Sequence, residues 1–310
     1  MLFYIITPAF NALHWLPACV RSVADQCSGD VQVHHHVQDG GSTDGSREWL
    51  AAWQREHEAA EGYTFTFASA PDAGLYDALN KAWDRLPTEA VCTAHLNADE
   101  QYLPGSLQQI AEAWREHPEA DLLTTTYLLC NEDGTYHCHR RPVQPHAWTS
   151  VLTCELMTCV CFLRAETLRR MGLRFDISYR SLADVPFYRD FVAAGTRIVS
   201  LPKLVTSLYT LTGRNLSWEP VTSEERARYN AAAPAWQRLL YPFSRRWVNL
   251  KRRLADRLCP APALCSCYRG TDTTRTEEVI TAPTCICRRQ GNTQCSALAI
   301  PQGDSPNRNQ

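Results

Sequence analysis

Acidic side chains stand directly after strand-like runs at two places in this chain. Asp39 follows the alternating run 31–37 and precedes two glycines, and Asp99 comes shortly after the apolar run 90–96. In an open α/β sheet, the carboxyl ends of the strands border the crevice in which ligands bind. Carboxylates placed there can hold a hard divalent cation or accept hydrogen bonds from a ligand.

A third polar group lies near the start of the helix predicted over residues 75–83. It contains Asp72, Asp77, Asn80 and Lys81. A lysine and the free backbone N–H groups of a helix start attract anions such as phosphate. These residues alone are equally typical of a capped, solvated surface helix, and DGGSTDG alone is typical of a solvated turn.

The elements that would position these side chains alternate regularly between strand and helix. The predicted strands cover residues 2–6, 31–37, 63–68, 90–96 and 121–126, and the predicted helices cover residues 13–26, 46–58, 75–83 and 104–117. This order favours parallel βαβ units with the strand ends on one edge. Beyond residue 127 short strand-like pieces surround NEDG, a hairpin signal, which predicts a mixed β region.

Composition excludes several classes of protein. The chain has 310 residues, 45% of them hydrophobic, and a net charge of −2, which is typical of a globular protein without a nucleic-acid partner. No apolar run approaches the roughly 18 residues of a membrane span. The opening MLFYIITPAF lacks a basic n-region, so we expect a buried strand there, not a signal peptide, and a cytoplasmic protein.

Four segments occur in a characteristic order. They are FYIITPAFN, the strand ending in DGGSTDG, SAPDAGLYDALNKAWD and HLNADEQYLPGSL. The series, within about residues 2–217, resembles the family 2 glycosyltransferases, which use nucleotide sugars. The resemblance implies an α/β protein with the GT-A fold: a three-layer α/β/α sandwich with a mostly parallel central sheet and a short mixed β region on the acceptor side.

The resemblance also implies which residues contact the nucleotide. Pro8 and Ala9, in the turn after the first strand, would touch its base and ribose. Asp39 would read the base, with Gly40 beside it. Because a carboxylate can accept from the N3–H of uracil, UDP is the favoured donor nucleotide, while GDP and dTDP stay open.

Asp72 and Lys81 join the nucleotide-binding set by the same resemblance. Asn97 and Asp99 correspond to the family's DxD motif, with Asn97 in place of the first acid. Asp99 would therefore bind Mn²⁺ or Mg²⁺, which neutralises the leaving diphosphate, and Asn97 would orient ribose or a bound water. Glu100 stands where relatives more often have a second Asp.

Asp184 is the implied catalytic base, because the family places an acid at the start of the corresponding helix. From this stretch alone, a favourable charge at a helix start explains Asp184 as well. Glu155 and Asp176 are the alternatives on the acceptor side. The implied reaction is an inverting transfer of a hexosyl or N-acetylhexosaminyl group to a hydroxyl of a glycan or lipid-linked acceptor in polysaccharide biosynthesis.

The sequence divides into a GT-A domain over residues 1–218, a helical extension over 219–258 and a tail over 259–310. The extension has seven cations and one acid between residues 238 and 257, interleaved with aromatic and aliphatic side chains. Peripheral contact with the inner face of the cell membrane and packing on the domain explain this pattern equally well. The tail contains Cys-x-Cys pairs that could bind zinc, but its polar composition favours disorder.

Two other classes of protein compete with this interpretation. A dinucleotide-dependent oxidoreductase would have GxGxxG after the first strand, where this chain has TPAFN. A catalytically inactive protein that binds sugar nucleotides or acts as a scaffold would keep every motif. Assays with a panel of donors separate it from an enzyme.

Overall fold

The computed structural model describes residues 1–58, 60–149, 156–213, 215–257 and 263–281. The strands are β1 Leu2–Ala9, β2 Gln32–Asp39, β3 Tyr63–Ser69, β4 Cys92–His95, β5 Glu100–Tyr102, β6 Leu122–Asn131, β7 Tyr136–Arg140, β8 Cys161–Arg164, β9 Ile198–Leu211, β10 Ala263–Cys267 and β11 Thr276–Ile280. The α-helices are α1 Leu16–Ala24, α2 Ser46–Glu56, α3 Leu75–Trp83, α4 Ser106–Glu116, α5 Ala165–Met171, α6 Asp184–Ala193, α7 Pro220–Ala232 and α8 Ala235–Arg257.

Nine of the described strands form one sheet in the order β3-β2-β1-β4-β8-β6-β9-β5, with β7 paired to β6. The first four strands in this order run parallel, and so do β6 and β9. Strands β5, β7 and β8 pair antiparallel with their neighbours. The parallel half brings the carboxyl ends of β1, β2, β3 and β4 to one edge.

Helices cover both faces of this sheet. Alternate side chains of β1 point to opposite faces, as in any strand. Phe3 and Ile5 pack in a core cluster with residues of α1, α2 and α4. Tyr4 and Ile6 pack in a second cluster with residues of α3, α5 and α6. The predicted three-layer α/β/α sandwich is therefore confirmed.

Strand β1 continues three residues beyond its predicted end at Ile6. Pro8 and Ala9 therefore lie in the strand and pair with Gln38 and Asp39 of β2, not in a turn. Proline is tolerated there because pairing of β1 with β4 ends at Ile6, so the missing N–H of Pro8 faces no strand.

The carboxyl-terminal helices differ from their predicted bounds. Two helices were expected over residues 224–240 and 244–258, but α8 continues through Pro242, and α7 and α8 are separated instead at Ala233 and Pro234. Ala233 has the extended backbone that a following proline favours (ψ 144°). No helix in the described ranges is both long and apolar enough to cross a bilayer.

Two hairpins complete the structure. The predicted NEDG turn joins β6 to β7, and the N–H of Gly134, at φ 80°, donates to the carbonyl of Asn131 at 2.9 Å. Strands β10 and β11 pair antiparallel. The expected disorder of the tail is therefore wrong for residues 263–281, because Cys265, Cys267 and Ile280 are buried in a small core. Residues 259–262 and 282–310 lie outside the described ranges.

Candidate functional site

Asp39 organises the loop between β2 and α2. Its buried carboxylate accepts from the N–H of Gly41 at 3.1 Å, and from Ser42 through the N–H at 3.1 Å and the hydroxyl at 2.5 Å. The Ser69 hydroxyl, at the end of β3, donates a further bond at 2.5 Å. A carboxylate has about four acceptor positions, so all are engaged by the protein.

Asn11 connects the loops that follow β1 and β2. It has a positive φ of 48°, which Asn tolerates better than most residues. Its N–H donates to the Ser42 hydroxyl at 2.7 Å, and its side-chain oxygen accepts from the N–H of Thr43 at 2.9 Å. The N–H of Gly40 donates to the carbonyl of Ala9 at 2.8 Å. The predicted nucleotide-binding residues of β1 and β2 are thus held together.

Asp72 lies directly over Gly40. A β-carbon at Gly40 would come within 2.8 Å of the Asp72 Oδ2, so a larger residue at position 40 would displace the Asp72 carboxylate. The other Asp72 oxygen accepts from the N–H of Gly74 at 2.8 Å. Burial raises the pKa of Asp72, and the nearby charge of Asp39 acts in the same direction. Positive charge or a hydrogen-bond donor from a ligand would therefore be favourable here.

Lys81 braces the loop before α3. Its ammonium pairs with Asp77 at 2.8 Å and donates to the carbonyl of Pro71 at 3.2 Å. Asp77 also accepts from the N–H of Ala73 at 2.9 Å. In this arrangement Lys81 supports the loop that carries Asp72.

An acidic pair, Asp99 and Glu100, lies where the loop after β4 meets β5. The Oε2 of the fully buried Glu100 accepts from the N–H of Asn97 at 2.7 Å. Within the described part of the chain, the Glu100 Oε1 and the Asn97 Oδ1 are buried without a hydrogen-bond partner. Burial raises the pKa of Asp99 to about 6, and burial with the charge of Asp99 raises the pKa of Glu100 well above its usual value.

This oxygen donor set fits a hard divalent cation, which would partner the orphaned oxygens and favour ionised acids. The described ranges contain no cluster of three or more His, Cys, Asp or Glu side chains arranged to hold a metal. Asp99 and its neighbours therefore offer few protein ligands. Mg²⁺ commonly binds in this way, through one or two carboxylates together with substrate phosphates and waters.

Asp184 begins α6, as predicted, and faces α3. The single hydroxyl proton of Tyr76 is shared between the carbonyl of Ser181 at 3.0 Å and the Asp184 Oδ1 at 3.4 Å. Burial raises the pKa of Asp184, against the opposing charge of Arg226. Because Tyr76 lies in the first turn of α3, its bond brings Asp184 close to the loop that carries Asp72.

Of the two alternatives to Asp184, the structure describes only Asp176. Asp176 accepts from the N–H of Ser178 at 2.9 Å and is exposed in a turn. Glu155 lies outside the described residues.

The charges of Asp99 and Asp184 act on two cysteines of one short segment, Cys159 just before β8 and Cys161 at its start. Burial is the main cause that raises the pKa of both the Cys159 and the Cys161 thiols. Negative charge adds to this at each one: Glu100 and Asp99 act on Cys159, and Asp184 acts on Cys161. The charges of the predicted metal ligand and the predicted base therefore each act on one of two neighbouring thiols.

A cleft of about 150 Å³ opens beside Asp99. Its walls come from the start of α1, the β4–β5 loop, the β6–β7 turn, β9 and the β10–β11 hairpin. The lining residues are His14, Trp15, Ala18, Ala98, Asp99, Gln101, Asn131, Glu132, Asp133, Gly134, Leu208, Thr210, Cys267, Tyr268, Arg269 and Gly270. None of these lining residues belongs to the loops around Asp39 and Asp72, which follow β2 and β3 at the carboxyl edge of the same sheet.

Several residues around the candidate site were not predicted from the sequence. Ser69 could have been found, because parallel pairing of β2 and β3 places it opposite Asp39. The bonds of Asn11 and Tyr76 depend on tertiary contacts across 31 or more residues and have no local signal. The hairpin was assigned to a disordered tail.

Comparisons with known proteins identify the family. The family model described as Glycosyl transferase family 2 matches residues 4–169. A PGL/p-HBAD biosynthesis glycosyltransferase of Mycobacterium bovis and one of Mycobacterium tuberculosis are each 32% identical over 123 residues, which cover 39% of this chain and 45% of the relative. The aligned part of the chain thus spans less than half the length of these curated relatives. The chain belongs to glycosyltransferase family 2.

Solved structures support the fold. The mannosyltransferase PcManGT of Pyrobaculum calidifontis, in complex with GDP-Man and Mn²⁺, superposes with a TM-score of 0.57 at 16% identity, covering 83% of this chain and 76% of that one. Staphylococcus aureus TarS 1-349 in complex with UDP-GlcNAc gives a TM-score of 0.54 at 15% identity, covering 81% and 66%. At this level of identity the likeness establishes the GT-A fold.

Proposed function

We propose that this chain is an inverting glycosyltransferase that moves a hexosyl or N-acetylhexosaminyl group from a nucleoside-diphosphate donor. The acceptor is a hydroxyl of a glycan or lipid-linked molecule in polysaccharide biosynthesis. One observation carries the proposal: a family 2 chain places Asp99 beside the orphaned, buried oxygens of Asn97 and Glu100 at the carboxyl edge of its sheet. That donor set is suited to a cation with a bound diphosphate.

UDP is the proposed donor nucleotide, and the proposed nucleotide-binding residues are Pro8, Ala9, Asp39, Gly40, Asp72, Lys81 and Asn97. The carboxylate of Asp39 is already satisfied by protein donors. Accepting from a uracil N3–H therefore requires the hydroxyl of Ser42 or Ser69 to turn away. Since serine hydroxyls rotate at little cost, this exchange is feasible.

Asp99 would hold Mn²⁺ or Mg²⁺. The side-chain oxygens of Asn97 and Glu100, which are close to Asp99 in sequence, would be within reach of the cation. The bound cation supplies neutralisation of charge on the leaving diphosphate. Asp99 binds the cation in its ionised form, and Asn97 would orient ribose or a bound water.

Asp184 is the proposed general base. Its raised pKa strengthens it as a proton acceptor towards the acceptor hydroxyl, and Tyr76 fixes its orientation. One displacement assisted by one base inverts the anomeric centre.

A donor screen tests this function. The protein is incubated with UDP-glucose, UDP-GlcNAc and GDP-mannose in the presence of MnCl₂, and release of nucleoside diphosphate is measured with and without polysaccharide or lipid-linked acceptors. The proposal predicts release from at least one donor and a product with inverted configuration. Tight binding without turnover for any donor and acceptor would favour the inactive nucleotide-binding protein instead.

Peripheral contact with the inner face of the membrane is the second part of the proposal, and the exposed face of α8 supports it. Large apolar side chains recur there every three or four residues and are open to solvent; Leu239 is 73% exposed and Phe243 64%. The others on this apolar stripe are Trp236, Leu240, Trp247, Leu250 and Leu254. The buried side chains of α8 include Ser244 and Val248, on a different face.

Cations accompany this stripe. Arg238, Arg245 and Arg246 are exposed on the same helix, and residues 235–255 contain no acid. An apolar stripe on a helix whose other faces carry cations matches the interface of a bilayer that carries anionic lipids.

A further inference from the structure

The β10–β11 hairpin forms a wall of the cleft beside Asp99. Its connecting residues Tyr268, Arg269 and Gly270 line the same space as Asp99 and Ala98. The hairpin is separated from the β4–β5 loop by more than 160 residues of sequence, so only the fold brings the two together. No local motif marks this contribution to the site.

Hydrogen bonds fix the hairpin to the strand that follows Asp99. The side-chain nitrogen of Gln101 donates to the carbonyl of Tyr268 at 3.0 Å, and the N–H of Tyr268 donates to the Gln101 oxygen at 2.8 Å. The Tyr268 hydroxyl also donates to Asp25 at 2.9 Å. Since Gln101 is two residues from Asp99, the position of the hairpin loop is coupled directly to the acidic pair.

Arg275 anchors the other end of the connection. Its guanidinium makes a bidentate pair with Asp25, at 2.8 and 3.0 Å, and donates to the carbonyls of Tyr102 and Ser266. Its side chain is only 10% exposed. The loop between Cys267 and Thr276 is therefore held at both ends, and the residues between them are presented to the cleft in a defined position.

Arg269 is the guanidinium among the described lining residues of this cleft. Its side chain is exposed and passes Gly134, where a β-carbon would lie 3.0 Å from its Nε. Lys81, the cation expected from the sequence, is already paired with Asp77 and the Pro71 carbonyl. A nucleoside diphosphate gains negative charge as it leaves the sugar, and one divalent cation does not offset all of it, so a further cation at this position is favourable.

We infer that Arg269 binds the diphosphate of the donor, on the side of Asp99 formed by the carboxyl-terminal hairpin. This inference rests on the proposed function. The planar guanidinium can donate two parallel bonds to phosphate oxygens, which selects for a diphosphate over an uncharged group. Arg269 is thus a binding residue supplied by a segment beyond the matched family region.

The test compares UDP, GDP and the phosphate-free nucleoside uridine in the presence of MnCl₂, by titration calorimetry. Arg269→Gln should weaken binding of the preferred nucleoside diphosphate about tenfold or more, the scale of losing a charge-assisted pair. Uridine should bind the variant as it binds the unmodified protein. Arg55→Gln, an exposed arginine at the far end of α2, is the matched control and should change neither.

The outcomes separate this inference from the proposed function. If the unmodified protein binds neither UDP nor GDP, the proposed function fails, and the role of Arg269 fails with it. If it binds one of them and Arg269→Gln binds equally tightly, only the assignment of Arg269 is overturned. Equal losses for UDP and uridine, with hairpin amides exchanging faster, would mean that Arg269 only supports the hairpin.

Discussion

At the scale of single residues, Asp39 has a structural role that its sequence motif does not indicate. It holds two loops through Gly41, Ser42 and Ser69. Asp39→Ala would leave these buried donors without an acceptor, so Asp39→Asn is the milder change. We expect Asp39→Asn to weaken UDP binding by about 1.5–3 kcal/mol, measured by calorimetry.

Ser69→Ala is the control for this prediction, because it removes one donor and keeps the carboxylate. Its UDP affinity should stay within about threefold of the unmodified protein. If Asp39→Asn and Ser69→Ala bind UDP equally well, and circular dichroism shows both folded, Asp39 is a loop residue only.

Asp184 combines a functional role with a cost in stability. Asp184→Asn should reduce turnover about 10²-fold or more while donor affinity stays nearly unchanged, because the proposed base would act on the acceptor and not on the donor. Steady-state rates together with donor titration measure both quantities. Near-normal turnover in the variant, or retention of configuration by the unmodified enzyme, would remove Asp184 from the mechanism.

The pH dependence of the same residue follows from its raised pKa in the folded state. The folded protein binds this proton more tightly than the unfolded chain, so the stabilisation is complete at low pH and is lost as pH rises through the folded pKa. Asp184→Asn removes this pH-dependent loss of stability. The melting temperature of the variant, relative to that of the unmodified protein, should therefore increase as the pH rises from about 4 towards neutrality. Turnover of the unmodified enzyme should fall as pH decreases through the same range.

The sequence identified acids at strand ends well, because the strand, the acid and the following helix signal are local. Asp39, Asp99 and Asp184 all lie at element ends as predicted. The contacts of Lys81 were harder to predict from the sequence. Its pairing with Asp77 competes with binding a ligand, and only coordinates show which contact forms. The hydroxyls of Ser69 and Tyr76 act across the tertiary structure and have no pattern of their own.

At the scale of elements, the hairpin depends on Arg275. Arg275→Gln should accelerate hydrogen exchange at the amides of β10 by about tenfold or more, since it removes a bidentate pair that is mostly buried. Arg170→Gln is a matched control: its contact with Asp121 is 3.5 Å long and the Arg170 side chain is 65% exposed. Exposed pairs of this kind contribute at most about 1 kcal/mol. Equal exchange in both variants would mean that Arg275 does not hold the hairpin.

Helix α8 gives a separate prediction about membranes. The protein should float with phosphatidylglycerol vesicles and not with phosphatidylcholine vesicles, and high salt should weaken this association. Leu239→Glu combined with Phe243→Glu should abolish flotation, because both side chains lie on the exposed apolar stripe.

The control for this experiment is Ala227→Glu combined with Ala231→Glu, which adds the same charge to exposed positions of α7. It should still float. Flotation that survives the α8 substitutions, or its absence at every salt concentration, would assign α8 to another role.

Element boundaries were predictable where capping and turn residues are local, and less so elsewhere. Helix α3 has its predicted bounds, whereas β1 was placed too short because Pro8 was read as a turn residue. The interval expected between helices at residues 241–243 is helical, because α8 continues through Pro242. The hairpin was missed because its cysteines gain their burial from Leu103, Leu128 and Leu208, which are distant in sequence.

At the scale of the whole molecule, the βαβ order predicted the sheet and its two helical layers. The family match ends at residue 169, so the regions that carry Asp184, α8 and Arg269 lie beyond it. The roles of α8 and Arg269 are therefore argued from contacts and exposure, and that of Asp184 from the resemblance at the start of its helix together with its contacts. The central claim is that the carboxyl edge of this sheet holds a nucleoside diphosphate with a divalent cation through Asp99.

The most direct measurement of that claim is thermal stability with UDP, with and without MnCl₂, for the unmodified protein and Asp99→Asn. We predict a rise in melting temperature with UDP and manganese together that is much larger than with either alone, and its loss in Asp99→Asn. Glu112→Gln, a change on the surface of α4, should keep the full response. An undiminished manganese-dependent response in Asp99→Asn would contradict the account.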